Sequence, residues 1–417
     1  MLLAASKSTL VLLTADVRLL LLTRFTRLFA YGALSVVLVI YLTGLGLSEL
    51  QTGMLLTLTL VGDTGMSLWL TTRADRFGRR RTLIFGALLM AGAGLTFAVT
   101  KNPLLLIIAG IIGVISPSGN EVGPFLSIEQ AALSHIVADR TRTEVFAWYT
   151  LIGAIATAVG SLCAGLVSQS LQSTAVTPLQ SQRAVILLYA AVGFLLVFLF
   201  RRLSPAAEVS KSSGGGVART VLGLGHSRTI VLKLAGLFAV DSFGGGFVVQ
   251  SFLAYWFYLR FRVDAATLGG IFFTANVLAG ISALLAPRLA ARIGVVRTMV
   301  FTHLPSNILL ILVPLMPNLE LAILILLARF SISQMDVPTR QSYTMAIVRP
   351  EERSATAGIT GVARTTGAAV ALSFAGWMFN VPSLINWPFF IAGALKIGYD
   401  LLLYRAFVGV RPPEELR

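Results

Sequence analysis

Two arginines stand three residues apart inside an apolar run, LLLLTRFTRLFAYG, so Arg24 and Arg27 share one face of any helix formed there. No acid lies at helical spacing from them within that run, and their counter-charges must come from another segment or from a ligand. A guanidinium presents a planar fork of donors that matches a carboxylate or a phosphate. The same chemistry recurs in LLARFSISQMDVPTRQSYTMAIV, where Asp336 neighbours both Arg329 and Arg340 at helical spacing and Gln334 lies close by. Asn120 and Gln250 add amides in similarly apolar surroundings. Arg24, Arg27, Asn120, Gln250, Arg329, Gln334 and Arg340 are therefore the candidate substrate-binding residues, and a small organic anion is the substrate that suits them.

Acids in such settings can take up a proton when an anion leaves. Asp63, Glu121, Asp241 and Asp336 are the candidate proton-coupling residues. Internal pairing competes with this reading. Asp336–Arg340 and Lys396–Asp400 are each four residues apart, and a partnered ion is less costly to bury than an isolated one. Other chemistries lack their residues. His135, His226 and His303 are scattered and form no metal site, and the single cysteine, Cys163, permits neither an intrachain disulfide nor a cysteine cluster. No Walker pattern is present to harness ATP, and no nucleophile–base set occurs at catalytic spacing. No enzyme activity, cofactor or metal is expected.

Apolar runs must hold these charges in place. The chain is 56% hydrophobic and 12% charged, against roughly 25% charged in soluble proteins. Runs of about 20 such residues span a bilayer. They fall at 17–44, 50–72, 82–99, 103–136, 144–169 and 184–203, and again at 229–259, 267–288, 296–316, 319–347, 355–378 and 384–407. Pro117 and Pro124 should bend the fourth run by leaving carbonyls unpaired. The predicted fold is all-α, with twelve transmembrane helices in two six-helix bundles, 1–203 and 229–417, joined by a polar linker, 204–228. The first run has no small-residue cleavage site and reads as a retained helix.

Lysine and arginine fix the orientation. Twenty-two lie in or beside connections on one side and four on the other, so both termini and the linker are expected in the cytoplasm, with the chain in the cytoplasmic (inner) membrane. The formal charge of +15 is thereby explained by topology and lipid headgroups. No zinc-finger, helix-turn-helix or RNA-binding pattern accompanies it, so nucleic acid is not expected as a partner. A small molecule, protons and membrane lipids are, and the chain reads as a monomer.

The halves also echo each other. EQAALSHIVADRTRTEVFAWYTLIGAIATAVG begins at Glu129, and RQSYTMAIVRPEERSATAGITGVARTTGAAVA begins at Arg340, 211 residues later. RFG at 76–78 is matched by RIG at 292–294. Parallel six-helix repeats are one transporter architecture. Glycines 153, 160 and 165 in the fifth run and 358, 361 and 367 in the eleventh suit close helix packing.

ADRFGRRR, residues 74–81, is the densest knot of charge, and it falls in the turn between the second and third runs. It resembles the signature of the major facilitator superfamily in that loop. Asp75, Arg76, Gly78, Arg79 and Arg80 match, whereas Thr71 stands where the signature has its leading glycine. In PRLAARIGVVR the acidic position holds Ala291. The resemblance implies alternating access between two bundles, with Asp75, Arg76, Gly78, Arg79, Arg80, Glu129, Arg142 and Arg353 in conformational gating. It also implies a contact from Asp75 to the cytoplasmic end of the eleventh helix. The family's antiporters often carry a Gly-Pro pattern in the fifth helix, and here that helix has no proline. The expected function is secondary active transport of a small organic anion, with coupling to protons. The alternatives are a multidrug-type exporter of lipophilic or cationic compounds, and a non-transport receptor, scaffold or lipid scramblase.

Overall fold

In hydrocarbon every backbone N–H and C=O must be satisfied from within, and a helix does this segment by segment. A computed structural model describes residues 14–119, 124–137, 139–205, 208, 227–349 and 352–410. The side chains of 71–76, 131, 134, 135, 139–144, 147 and 354 also lie outside the description. The described residues are helical throughout their regular structure, with no strand. Among the described residues, eight helical stretches are long and apolar enough to cross a bilayer.

The first half contains α1 (Ala15–Gly44), α2 (Glu49–Phe77) and α3 (Arg79–Val99). Its fourth span is broken into α4 (Pro103–Ile112) and α5 (Phe125–Ile136), followed by α6 (Asp139–Gln172) and α7 (Pro178–Phe200). The prolines do more than bend this span, for residues 113–119 and 124 lie outside any helix. Such backbone survives at membrane depth only when its polar groups find partners. Here the Tyr189 hydroxyl of α7 donates to the Val114 carbonyl, and Thr157 Oγ1 of α6 donates to the Gly119 carbonyl at 3.3 Å.

The second half repeats the pattern. Its first span divides into α8 (Arg228–Gly246) and α9 (Gln250–Phe261), and α10 (Ala265–Ile293) and α11 (Val295–Leu312) come next. The fourth span of this half divides into α12 (Leu319–Phe330) and α13 (Asp336–Ala346), before α14 (Arg353–Phe379) and α15 (Trp387–Phe407). With each divided span counted once, the helices make the twelve expected spans. Two of these breaks differ from the continuous runs predicted at 229–259 and 319–347. Gly244–Gly246 end α8, because glycine is a poor helix former. Pro338 sits in the first turn of α13, where its missing N–H is tolerated but could not have served a continuing helix.

The charged turn is shorter than the sequence suggests. α2 runs through Phe77, and Gly78 alone joins it to α3 with φ 94°. Gly294 does the same between α10 and α11 with φ 89°. Both positions need glycine, because the positive φ would strain any other residue. The N–H groups of Arg79 and Arg80 open α3 without intrahelical partners, and both donate to the Glu208 carboxylate, at 2.7 and 3.1 Å. Close helix packing holds at Gly160, where an added Cβ would lie 2.0 Å from the Phe29 carbonyl oxygen. Gly358 and Gly361 face open space instead.

The chain forms two compact units. The first takes the described residues of 1–41, 62–213 and 264–270; the second takes those of 42–61, 214–263 and 271–417. In the second, Leu234, Phe238, Val296, Met299, Val300, Tyr343, Tyr399, Leu403 and Phe407 make one buried core, drawn from α8, α11, α13 and α15. On α7, Leu187, Phe194, Leu195 and Phe198 stay exposed, as a lipid-facing stripe should.

Candidate functional site

In the first unit, successive turns of α1 present Thr23 and Arg27 to α5. The Arg27 guanidinium meets Glu129 as a two-pronged pair, Nη1 to Oε1 and Nη2 to Oε2, each at 2.8 Å. Both side chains are fully buried. Thr23 Oγ1 donates to Oε1 at 3.0 Å, and the Tyr149 hydroxyl of α6 donates to Oε2 at 2.5 Å. Phe125 lies against the guanidinium, 4.6 Å from ring centre to Cζ. A carboxylate holding four donors is satisfied, and a buried ion pair so completed is worth keeping intact. Arg24 belongs to the same neighbourhood. Its Nε donates to the Tyr149 carbonyl at 2.7 Å, and its Cζ lies 3.9 Å above the Tyr149 ring. Gly153 makes room for it, since a Cβ there would come within 2.9 Å of Arg24 Nε.

In the second unit, one acid serves several bases. Asp241, on α8, accepts from Lys396 Nζ of α15 at 2.6 Å and from Arg340 Nη1 of α13 at 2.9 Å. Arg340 also reaches Asp336 at 3.2 Å, the predicted i,i+4 pair. His303, on α11, places Nε2 3.8 Å from Asp241 Oδ1 and Nδ1 2.8 Å from Asp400 Oδ1. Asn307, one turn on, donates to the other oxygen of Asp400 at 3.0 Å.

Two more arginines complete the cluster. Arg329 ends α12, within electrostatic reach of Asp336 and Asp241. Arg364, on α14, feels the charges of Arg340, Asp241 and Asp336. The Nε atoms of both are buried, with no hydrogen-bond partner among the described residues. With His303 neutral, Arg329, Arg340, Arg364 and Lys396 outnumber Asp241, Asp336 and Asp400, four charges to three. Arg329 and Arg364 are half-buried as residues, and a surplus cation with a buried, unmet nitrogen is costly in this setting unless an anion meets it.

The Major Facilitator Superfamily profile matches residues 20–335. The chain belongs to that superfamily. An uncharacterized membrane protein of Saccharomyces cerevisiae (strain ATCC 204508 / S288c), YJR124C, is 32% identical to this superfamily member over 425 residues, covering 95% of this chain and 94% of the relative. Among solved structures, the nucleoside transporter NupG shares its fold with a TM-score of 0.69 at 15% identity, over 95% of this chain and 98% of that one. The xylose transporter XylE from E. coli, in a partially occluded inward-open conformation, aligns with a TM-score of 0.70 at 14% identity, over 96% and 99%. One superfamily fold thus serves a nucleoside and a sugar, and the fold alone does not choose a substrate.

The other predicted residues of this superfamily chain are more dispersed. Gln250, at the start of α9, is buried and accepts from Asn276 Nδ2 at 3.0 Å. Gln334 is half-buried in the break between α12 and α13. Asp63 is buried on α2, with Ser67 Oγ 3.5 Å away. Asn120 and Glu121 lie outside the described residues, as do the side chains of Asp75, Arg76 and Arg142. Arg353 is exposed, and its Nε donates to the Met345 carbonyl at 3.0 Å. The local Lys396–Asp400 pair does not form, because Lys396 turns to Asp241 while His303 and Asn307 take Asp400. From the sequence His303 counted only as one of three scattered histidines, and Asn307 went unnoticed. Their signal was an imidazole and an amide four residues apart inside an apolar run, TMVFTHLPSNILLIL.

Proposed function

We propose that this chain is a secondary active transporter of a small organic anion, a carboxylate or phosphate compound, moved by alternating access. The observation that carries this reading is the pair of buried guanidinium nitrogens on Arg329 and Arg364 that no described residue satisfies. A buried donor left unmet costs on the order of 1–3 kcal/mol, and more when charged. A carboxylate or phosphate between the two forks would recover it. Arg340 stands beside them but is already committed to Asp241 and Asp336. It orients the cluster, and a second anionic oxygen can compete for it.

The two bundles, 1–203 and 229–417, rock about this site, with the linker 204–228 and both termini in the cytoplasm. Arg27 and Glu129 act as a lock within the first bundle rather than as substrate ligands. Asp75, Arg76, Gly78, Arg79 and Arg80, on either side of the Gly78 turn, serve gating.

Thermal stabilisation of the purified chain by a panel of mono- and dicarboxylates, phosphate esters, neutral sugars and organic cations tests the reading. Binding raises apparent stability in proportion to the logarithm of ligand over Kd. Anions should stabilise the wild type and fail to stabilise Arg364→Ala. Stabilisation by cations or sugars alone, or an undiminished anion response in Arg364→Ala, overturns it.

A further inference from the structure

We propose that His303 is the proton-binding residue of this chain, and that protonation of its imidazole between Asp400 and Asp241 admits the anion, so that proton and anion travel together. The second clause rests on the anion reading above; the first rests on geometry alone. The hydrogen bond of 2.8 Å between Nδ1 and Asp400 Oδ1 holds one proton. Asn307 donates to the other oxygen of Asp400, which is the behaviour of an accepting carboxylate. Asn307 Nδ2 also lies 3.2 Å from Nδ1 but reaches the Asp400 carboxylate more closely, at 3.0 Å, and on that ground the proton is assigned to Nδ1. That leaves Nε2 with a bare lone pair, facing Asp241 Oδ1 at 3.8 Å, acceptor against acceptor. A proton arriving from water at Nε2 converts this contact into an imidazolium–carboxylate pair.

The surrounding charges determine the effect of that proton. Facing His303 are Asp241 from α8 and Tyr399 and Asp400 from α15; Asp241 is shared with Arg340 of α13 and Lys396 of α15, and Arg340 also holds Asp336. Arg329 on α12 and Arg364 on α14 complete the ring of charge. Asp241 Oδ1 already holds Lys396. A second cation at that oxygen weakens the hold. Arg340 keeps Asp336 as a second acid, whereas no second acid lies within ion-pair distance of Lys396 among the described residues. Lys396 is the cation set loose. Protonation thus raises the surplus from one positive charge to two and releases the Lys396 ammonium from Asp241. A proton and a monoanion would cross with no net charge, and no redox or bond-making step is involved beyond transfer of that proton to Nε2 and back to water.

The test uses the full chain in lipid nanodiscs with ring-15N histidine. His303→Gln identifies the His303 resonance, and the titration is read on the wild type. We expect the Nδ1–H tautomer at high pH and one protonation step on acidification. Asp400→Asn and Asp241→Asn should each move its midpoint to lower pH, because each removes an acid that favours the imidazolium. An imidazole that stays neutral from pH 4.5 to 9, or a midpoint indifferent to both variants, overturns the inference. Proton uptake on adding succinate, benzoate or inorganic phosphate is then measured with an indicator dye. Wild type should take up about one proton per bound anion, and His303→Gln should bind the anion more weakly and take up none, losing at least tenfold in uptake driven by a pH gradient. Unchanged proton uptake in His303→Gln overturns the coupling role and leaves the anion reading standing. Failure of all three anions to bind the wild type, with His303 titrating as expected, upholds the proton site and removes the anion reading.

Discussion

The two units solve the problem of a buried arginine in opposite ways. Arg27 meets one acid through both prongs, and that acid receives two further donors, so the group is closed and neutral. Arg340 shares Asp241 with Lys396, and Arg329 and Arg364 stand nearby with unsatisfied nitrogens. A closed pair resists rearrangement, because breaking it strands a charge in low dielectric. An open cluster has donors left over, with acids shared between bases. Disturbing the first unit should therefore be read in stability, and disturbing the second in transport.

The largest effect is expected at Glu129. Glu129→Ala leaves Arg27 buried without its acid and should destabilise the chain by about 3–5 kcal/mol, measured by thermal or denaturant unfolding in detergent. Adding Arg27→Met to that variant should recover much of the loss, since no charge then remains stranded. A double variant no better than Glu129→Ala would show that the pair is not a closed unit.

Next comes Arg364. Arg364→Ala should cut transport at least about 100-fold, equivalent to about 2.7 kcal/mol, with the unfolding temperature unchanged or raised. The rise is expected because a half-buried cation with a buried, unsatisfied Nε is removed. Loss of stability alongside loss of transport would make Arg364 a structural partner, and would erase the contrast between the units. Arg24→Ala should cost less, about 1–2 kcal/mol in stability, from losing the hydrogen bond that its charged Nε donates to the Tyr149 carbonyl and its stacking on the Tyr149 ring.

This contrast was only half legible in the sequence. Span number and the bend at Pro117 and Pro124 arise from local pattern, because helix and bilayer each impose a fixed period or length. Arg27 was read as a ligand for an anion because its acid lies 102 residues away, on a different helix. Nothing in local spacing reports such a pairing. Asp400 misled for the complementary reason. Its i,i+4 neighbour Lys396 was visible, but the competing acid on α8 and the histidine on α11 were not. Charge surplus is a property of a three-dimensional cluster, so Arg364 gained its place only when α14 was set beside α8 and α13. Gly78 was legible as a turn, but its length was not: helix α2 persists through charged residues because arginine is itself a good helix former.

The smallest effect tests whether closure in the first unit extends to its surface. Glu208 accepts from the first two N–H groups of α3, beside Arg80, Arg81 and Arg201. A carboxylate at a helix N-terminus gains from the exposed N–H groups and from the helix dipole. Glu208→Gln keeps one acceptor and loses the charge, so it should cost about 0.5–1 kcal/mol, diminishing at high salt as screening replaces the lost contrast. Gly78→Ala attacks the same turn through the backbone and should cost about 1–2 kcal/mol, with no salt dependence. If the two losses simply add, the carboxylate and the turn act independently. A combined loss smaller than the sum would mean that the strained turn exists to present the α3 N-terminus to Glu208, because a chain that has already lost the turn has less of the cap left to lose.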